Sequence, residues 1–563
     1  MKRWALAAVS AWACAGAAAA EPPSGWWNDA VFYEIFVRSF KDSEQGPKAG
    51  DGIGDFRGLM EKLDYLKAKG SEEAAWNERP QGDALGVNAL WLMPIFDSPS
   101  YHGYDVTNYD ATQPDYGTME DMKALVSAAH ERGIRVVVDL TLNHCSSAHP
   151  WFKEALDPAS PRRNWFVWSD QAGGGGGAYG GKAWHKAGGS YFYGLFSNRM
   201  PDFNLREPAV TQELHDLSRR WLTDVGVDGF RLDAVRHLIE VGNQQENTPE
   251  THAWLKDYRR VLKGTKADAM TVGEVWDSSE NASKYVGDEL DLVFEFALSD
   301  ALLKSVQSGD ATGLMAAWAK VAKLYPPGQF ATFLTNHDQT RVMTVLKGDE
   351  AKARLAATLL MTMPGVPFVY YGEEIGLTGD KPDERLRTPM PWGDGPGRGF
   401  TSGKPWQPFA AGEQTVQSQQ AEPSSLWRHY QSLIHMRMTM PALRRGGMVP
   451  LTNAAAATEP TGKGAPRQPV LAFIRTLEGE APALVAVNLS NAPVSLALKA
   501  DPGALPADMR GAMYLTFAYT GGGWVDVTKD LRIDAEGGVS GAALGTPLPP
   551  GGTVILRLQA RNP

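Results

Sequence analysis

Carboxylates and histidines recur in this chain immediately after short apolar runs. Gly229-Phe230-Arg231-Leu232-Asp233 follows Val225-Gly226-Val227. Alternate residues of a strand share a face, so Arg231 and Asp233 should point the same way. A cation beside a carboxylate favours its ionised form, and an ionised carboxylate is what covalent displacement requires. Taken alone, the stretch is explained more simply as a structural ion pair at a strand end. Three further stretches share its form. Asp139-Leu140-Thr141-Leu142-Asn143-His144 follows an apolar run at 134–138, Gly273-Glu274-Val275-Trp276 follows 270–272, and Thr335-Asn336-His337-Asp338 follows 330–334. A nucleophilic carboxylate and a second carboxyl that gives and takes a proton can both be supplied from such strand ends.

Positions of this kind need a scaffold that gathers strand ends. Strand-like runs at 30–36, 87–93, 134–140, 227–233, 270–274, 290–296, 330–334 and 367–371 alternate with helical patterns. The helices are predicted over 59–69, 119–132 with Gly133 at its end, 208–225, 250–263, 311–323, 351–363 and 426–440. This alternation predicts an α/β fold, a (β/α)8 TIM barrel over 21–144 and 201–445, with its chemistry at the strand C-termini. Residues 71–85 are polar and read as an insertion. From Cys145 to Met200 the pattern gives way to Trp, Tyr and Gly, with a glycine run at 173–177. From about Gly446 the chain turns to Thr, Val, Ala, Gly and Pro, with strands at 470–475, 483–489 and 552–558, predicting a C-terminal antiparallel β-sandwich over 446–563.

In order, spacing and flanking residues, the four strand-end stretches resemble the four signature regions of the α-amylase family of glycoside hydrolases (family 13 type). Met200-Pro201-Asp202-Phe203-Asn204-Leu205 resembles a fifth. Its Met-Pro-Asp form is similar to a group intermediate between oligo-1,6-glucosidases and neopullulanases, which includes α-amylases. The resemblance runs from about Trp27 to the C-terminus and implies that 145–200 form the family's small domain B. It makes Asp233 the nucleophile, Glu274 the acid/base and Asp338 the acid that stabilises the transition state, in a retaining mechanism. Arg231 then orients Asp233, and Asp139 supports the site. Tyr104 stacks on the sugar being cleaved, and Asp105, His144, His337 and Arg341 are implied as further sugar-binding residues. Arg236 and His237 resemble a Lys-His pair that contacts sugar on the leaving-group side. Ala234 after the nucleophile resembles enzymes acting on α-1,4 links.

Asp51-Gly52-Ile53-Gly54-Asp55 is an oxygen-rich loop of the kind calcium favours, and is also explained as a polar turn. Relatives bind a metal here through Asp-x-Asn-x-Asp-Gly-x-Gly-Asp, which implies a structural Ca2+ held by Asp51, the Ile53 carbonyl and Asp55, with Asp42. The sequence departs from that pattern: residues 44–50 enlarge the gap after Asp42, and the Asn is missing. Asn143 and His237 are candidates for a second calcium site. The activity implied is an α-amylase cleaving α-1,4 bonds of starch and maltodextrins. An exo-acting α-glucosidase or a 4-α-glucanotransferase would use the same residues. A non-catalytic scaffold of the same fold is disfavoured by the complete set of acids.

The length of 563 residues allows several domains, and 43% hydrophobic residues with 18 Trp suffice for large cores and for sugar-stacking surfaces. A net charge of −10 spread without long runs argues against nucleic acid or an anionic membrane as partner. Met1-Lys2-Arg3, an apolar stretch at 4–13 and Ala18-Ala19-Ala20 predict a secretory signal over 1–20, hence a secreted or periplasmic protein, with lipidation at Cys14 as a rival. The signal is too short for a transmembrane segment. Cys145 is then the mature chain's lone thiol, expected to pack, and the protein is expected to act as a monomer.

Overall fold

The structure, a computed structural model, describes residues 25–70, 80, 82–412, 414–454, 467–520 and 523–560. The predicted signal at 1–20 and most of the polar insertion at 71–85 lie outside them. Eight parallel strands close into a barrel: β1 (Phe32–Ile35), β2 (Ala89–Leu92), β3 (Arg135–Leu140), β4 (Gly229–Leu232), β5 (Met270–Gly273), β6 (Leu292–Phe294), β7 (Phe330–Phe333) and β8 (Val366–Tyr370), which pairs back onto β1. Apart from Arg135 every residue of these strands is buried. Burial on both faces is why they read as continuous apolar runs in the sequence.

Alternation along each strand divides the side chains between two cores. Phe32, Trp91, Val137, Met270, Val272, Leu292, Phe294, Phe333 and Phe368 fill the barrel. Their neighbours Tyr33, Leu90, Val136, Val138, Phe230 and Leu232 belong to the larger core formed with the helices. Phe32 and Phe368 stack inside the barrel with ring centroids 4.2 Å apart. Two residues further along, towards the C-terminal ends, the inward set becomes polar. Glu34 lies opposite Trp91, and Asp139 opposite Arg231. The apolar plug is thus capped by a charged layer, on which the site is built.

Three predicted elements differ in detail. The helical pattern at 59–69 is two short helices, Phe56–Glu61 and Leu63–Leu66, broken at Lys62, with Asp55 capping the first through a bond from Gly58 N to Oδ1 of 2.8 Å. The helix predicted over 208–225 is α-helical over Pro208–Arg220 and ends in a wider π turn, Trp221–Val225, closed by Gly226 at φ 88°. Strand six is followed by two helices, Phe296–Ser308 and Thr312–Leu324. The first was hidden because its apolar start runs on without a break from the strand. Its Glu295 cap and Gly309, at φ 72°, are the boundaries that hydrophobicity alone does not mark.

Between β3 and the helix Pro208–Arg220 the chain forms a three-stranded antiparallel sheet, in the order Trp168–Ser169, Ser190–Tyr193, Trp184–Ala187, around Ala183, Tyr193 and Leu195. Among the described residues the C-terminal region has eight strands: β9 (Gly447–Asn453), β10 (Val470–Thr476), β11 (Ala483–Asn488), β12 (Leu498–Ala500), β13 (Met513–Thr520), β14 (Gly523–Ile533), β15 (Gly538–Gly541) and β16 (Thr553–Ala560). They are antiparallel as predicted. Because β9 pairs with both β10 and β12, the two edges meet and the sandwich closes on itself. Closure removes the exposed edges that an open sheet would present. Among the described residues no helix is long and apolar enough to cross a membrane.

Two buried guanidinium groups gather around the end of one barrel helix, Arg437 from the last helix of the barrel, Leu426–Thr439, and Arg475 from β10 of the C-terminal domain, which it joins to the barrel. Arg437 donates to the carbonyls of Met361 (2.8 Å) and Gly365, and Arg475 donates to those of Thr362 (2.5 Å), Gly446 (2.7 Å) and Gly447 (3.2 Å). Both cap the C-terminal end of the helix Glu350–Thr362, where a positive charge opposes the helix dipole. Burial pushes Arg437 down to about 9 and Arg475 well below the usual guanidinium range, so carbonyl bonding has to offset a real desolvation cost. Arg475→Met keeps the bulk and leaves three carbonyls unpaired. It is expected to lower unfolding stability by about 2–4 kcal/mol, read as a lower denaturant midpoint, while the folded fraction keeps its catalytic rate.

Candidate active site

The charged layer at the top of the barrel centres on Arg231, itself 1% exposed. Its Nη1 donates to Asp139 Oδ1 at 2.9 Å and to Asp233 Oδ1 at 2.7 Å, and its Nη2 lies 3.0 Å from Glu274 Oε2. The guanidinium carbon lies 5.2 Å from the centre of the Trp91 ring and 5.7 Å from that of Tyr104. Three strands meet in this contact. Arg231 is on β4 with Asp233 just beyond its end, Asp139 is on β3, and Glu274 directly follows β5. The sequence periodicity anticipated that Arg231 and Asp233 face the same way, and they do. Ala234, next in the chain, takes a left-handed conformation (φ 50°) and donates its N–H to Glu274 Oε2 at 3.2 Å.

Asp338 belongs to the same cluster from the end of β7. Arg387 Nη2 donates to its Oδ1 at 2.8 Å, and His337 Nε2 lies 3.3 Å from Oδ2. His337 Nδ1 meets Glu34 Oε1 at 2.6 Å, and its Nε2 meets the Tyr104 hydroxyl at 2.7 Å. That hydroxyl also donates to Asp139 Oδ2 at 3.0 Å. A cavity of about 570 Å3 opens above, lined by Asp233, Glu274, Asp338, Tyr104, His144, Ala234, Arg236 and His237 together with His102, Ala178, Tyr179, Phe196, Met200, Trp276, Lys381, Asp383 and Arg387.

Burial acts on the carboxyls unequally. It pushes Glu274 up to about 7, with Asp233 and Asp338 adding to the effect against the pull of Arg231. Asp233 and Asp139 both bond Arg231, and both are pushed up to about 6, burial outweighing the guanidinium. For Asp338 burial is outweighed by His337, Arg387, Arg231 and Lys381, and its carboxyl is held below the usual range. His337 falls to about 3 and His144 to about 4, chiefly through burial, so both rings are neutral. At neutral pH the site therefore offers two ionised carboxylates and one carboxyl poised between its forms. Such divergence separates the roles of acid and nucleophile.

The other expected sugar-binding residues divide into those that reach the cavity and those that do not. His144 Nε2, buried at the wall, has no partner among the described residues and is free for a hydroxyl group. Arg236 sits between Glu246 (3.2 Å) and Asp277 (3.6 Å) and donates Nε–H to His237 Nε2 at 3.0 Å. His337 and Arg231 lie behind the wall and act through Tyr104, Asp233 and Asp338. Asp105 and Arg341 do not face the cavity. Asp105 accepts from the hydroxyls of Ser98 (2.7 Å) and Ser100 and fixes their loop. Arg341 donates to the carbonyls of Leu386 and Tyr371, both at 2.7 Å, beneath the Tyr370 and Tyr371 rings. Both are corrected to scaffold roles.

Arg387, Lys381, Asp383, Tyr179, Phe196 and Trp276 were not anticipated as site residues. The first three lie in a stretch with no periodicity, and the bond from Arg387 to Asp338 spans 49 positions. Trp276 carried a usable signal, since it stands two residues after Glu274.

The residues expected to hold calcium are engaged otherwise. Asp42 accepts from Gly50 N and Gly52 N, each at 2.9 Å, and from the Thr401 hydroxyl. Asp55 accepts from Gly58 N (2.8 Å), Ser43 N (3.1 Å) and Ser43 Oγ (2.8 Å), and Asp51 accepts from Ile53 N at 2.9 Å. Among the described residues no three His, Cys, Asp or Glu side chains converge as a metal requires. The enlarged loop at 44–50 supplies Gly50 N–H as a donor to Asp42 where relatives have an Asn ligand, so the donor set does not fit a calcium ion. The second pair is divided, since Asn143 Oδ1 is buried without a hydrogen-bond partner among the described residues. Both His237 nitrogens are bonded, to Gln245 O (2.9 Å) and Arg236, and Asn143 is buried beside His144.

An eight-stranded parallel barrel with three carboxylates gathered over one buried guanidinium at its strand C-termini defines a glycosidase. The family model described as "Alpha amylase, catalytic domain" matches residues 34–446. "Alpha-amylase 3" of Dictyoglomus thermophilum is 38% identical over 428 residues, 75% of this chain and 79% of that protein. "Oligo-1,6-glucosidase" of Parageobacillus thermoglucosidasius is 33% identical over 496 residues, 73% of this chain and 83% of that protein. The crystal structure of the α-amylase from H.orenii superposes with a TM-score of 0.77 at 35% identity, covering 94% of this chain and 99% of that one. The chain belongs to the α-amylase family of glycoside hydrolases.

Two predictions follow from this geometry. Glu274 must carry its proton, and is protonated below about 7; Asp233 must be ionised, and is so above about 6. A bell-shaped profile of kcat/KM with limbs near these values is expected, falling as pH rises past 7. Asp139→Asn removes a neighbouring negative charge and should move the acid limb to lower pH. A rate level up to pH 9 would contradict the assignment of Glu274. For the hydrogen-bonded loop at Asp42–Asp55, EDTA should leave the melting temperature unchanged, whereas Thr401→Val should lower it; a fall in Tm on chelation would restore the metal.

Proposed function

We propose that this protein is a retaining α-glucan hydrolase of the α-amylase type, cleaving α-1,4 bonds of starch and maltodextrins. The observation that carries the reading is the attachment of Asp233 and Glu274 to adjacent nitrogens of one guanidinium. That places a nucleophile and a proton donor together beside a single bond. Arg231 fixes Asp233 Oδ1, and Oδ2 attacks the anomeric carbon. As the glycosidic C–O bond breaks, Glu274 gives its proton to the departing oxygen. Glu274 then takes a proton from water, whose oxygen displaces Asp233 from the sugar. Asp338, held low by its cationic neighbours, stays ionised and stabilises the positive charge that develops on the ring.

Two things support the α-1,4 preference: the small Ala234 at the cavity wall beside the nucleophile and the match to an α-amylase over three quarters of the chain. A second reading is favoured by the charged groups in the cavity wall, where Lys381 and Asp383 pair at 2.5 Å and Arg387 lies 3.4 Å from Asp383. Closure there would leave room for a single terminal sugar and make the enzyme an exo-acting α-glucosidase. Transfer to a sugar hydroxyl, as in a 4-α-glucanotransferase, would use the same intermediate. Residues 1–20 support export to the periplasm or beyond.

Incubation with soluble starch and with maltotriose separates these readings. The expected result is a rapid fall in starch chain length with mixed maltooligosaccharides. Glucose alone from both substrates would establish the exo reading, and products longer than maltotriose would establish transfer. Glu274→Gln should lower turnover by about 10²–10⁴-fold while retaining glucan binding.

A further inference from the structure

A line of short contacts runs beneath the catalytic acids. Glu34 Oε1 lies 2.6 Å from His337 Nδ1, His337 Nε2 lies 2.7 Å from the Tyr104 hydroxyl, and that hydroxyl lies 3.0 Å from Asp139 Oδ2. A branch leaves the line at His337 Nε2, which is 3.3 Å from Asp338 Oδ2. Glu34 and His337 are both buried, so their polar atoms must find partners within the protein. The chemical steps described above use Asp338 but give Glu34 no part.

Each contact takes one hydrogen, and the far end of the line fixes where the hydrogens point. Asp139 Oδ2 already faces Arg231 Nη1 at 3.1 Å and Trp91 Nε1 at 3.3 Å, groups that can only donate. A carboxylate ringed by donors accepts from Tyr104 as well, so the single phenolic proton points at Asp139. Tyr104 then offers His337 only a lone pair, and Nε2 must carry the hydrogen of the 2.7 Å contact. Burial keeps the ring neutral, and a neutral imidazole has one N–H. Nδ1 is therefore bare and accepts. Its partner, Glu34 Oε1, has to supply the hydrogen of the 2.6 Å contact, which only a protonated carboxyl can do. The opposite tautomer would leave the contact of Tyr104 with Asp139 without a proton. It would also set the Nε2 lone pair against Asp338 Oδ2.

The surroundings of Glu34 agree with a held proton. Its neighbours across the sheet are Trp91 and Tyr370, and the Tyr370 hydroxyl is turned away to Leu386 O at 3.1 Å. Arg231 and Arg387 favour the ionised carboxylate, Asp338 and Asp139 oppose it, and burial is the largest influence, raising the carboxyl well above the usual range.

We propose that Glu34 is a positioning residue that keeps its proton and thereby holds His337 as the tautomer with its hydrogen on Nε2. Asp338 then faces a hydrogen from below instead of a lone pair or a second negative charge. That suits the ionised carboxylate needed where positive charge develops on the sugar. Tyr104 is fixed by the same chain, because it accepts from His337 and donates to Asp139. The place of the proton does not depend on the substrate; its consequence for catalysis rests on the glucan-hydrolase reading above.

Glu34→Leu removes the donor and keeps most of the volume. It is expected to lower kcat on maltopentaose about tenfold, the worth of one buried hydrogen bond, with a smaller change in KM, because Asp338 acts on the transition state. Glu34→Gln still offers an N–H to Nδ1 and should recover most of that loss. It exchanges one neutral group for another, so both limbs of the pH profile should stay in place. Were Glu34 an anion, the same exchange would remove a negative charge and move both limbs to lower pH. Nitrogen NMR of the resting protein carrying isotope-labelled histidine, with His337 identified by its loss in His337→Gln, should show a hydrogen on Nε2 and none on Nδ1. A hydrogen on Nδ1, equal losses in the Leu and Gln variants, or limbs displaced by Gln would overturn the proposal. A parent protein inert towards maltopentaose would overturn the hydrolase reading, and the nitrogen spectrum would still decide where the proton lies.

Discussion

A single cation sets the conditions under which the other charges of this barrel can exist. Arg231 is removed from water, and a bare guanidinium in that position would be prohibitively unstable. It persists because Asp139, Asp233 and Glu274 surround it and the rings of Trp91 and Tyr104 approach it from the sides. The dependence is mutual. Three carboxyl groups in so small a volume repel one another, and Arg231 lowers the proton affinity of each. With one positive charge among three carboxyls the cluster cannot be neutralised in full. Burial, with this residual repulsion added, raises the proton affinity of Glu274, and so fits it to give up a proton when a glycosidic oxygen begins to accept negative charge.

Glu34, His337 and Tyr104 extend this logic across the barrel mouth. Glu34 is fully buried, and burial raises its carboxyl well above the usual range, while His337 is kept neutral. Burial thus works against a charge on either partner of this 2.6 Å contact beneath Asp338. Tyr104 donates its proton to Asp139, which fixes the orientation of its ring against His337 at 5.7 Å and 15°. The flat surface offered to a sugar is thus set by hydrogen bonds reaching two different strands. Rigidity of this kind comes from the layer below, where Phe32, Trp91, Phe294 and Phe368 leave the strands little freedom to slide.

The barrel and its acids were legible because both obey local rules. Strands buried on two faces appear as apolar runs, and a charge at the end of such a run has to be functional or paired. Asp233, Glu274 and Asp338 could therefore be named from spacing and resemblance. What could not be read depends on contacts distant in the chain. Arg387 finds Asp338 across a segment without periodicity. Asp105 and Arg341 lie close to site residues in sequence, yet their side chains turn to hydroxyls and carbonyls that no spacing rule identifies. The loop at 42–55 kept its carboxylates while its glycine N–H groups took over as their partners. The helix Phe296–Ser308 was concealed because an apolar strand runs straight into an apolar helix start, where only the Glu295 cap separates them.

The insertion after β3 lets one barrel hold its acids rigidly and still vary the wall of its cavity. The acids stand on strand ends whose positions are fixed by the closed sheet. Tyr179 and Phe196 belong instead to the excursion between β3 and the helix Pro208–Arg220. That excursion is joined to the barrel through the pairing of His144 with Asp202 and of Phe166 with Phe203. Its loop approaches β4 through Gln245, whose side-chain amide donates to Gly176 O at 3.0 Å and to the Tyr193 hydroxyl at 2.8 Å, and whose carbonyl accepts from His237. The insertion is thus tied to the segment that follows the nucleophile, which Phe196 also meets through the His237 ring at 5.9 Å. Changes in the insertion can alter the cavity wall at Tyr179 and Phe196 without moving Asp233 or Glu274. Separation of the reacting groups from the groups that choose the chain lets related barrels share one set of acids and differ in the bonds they cleave.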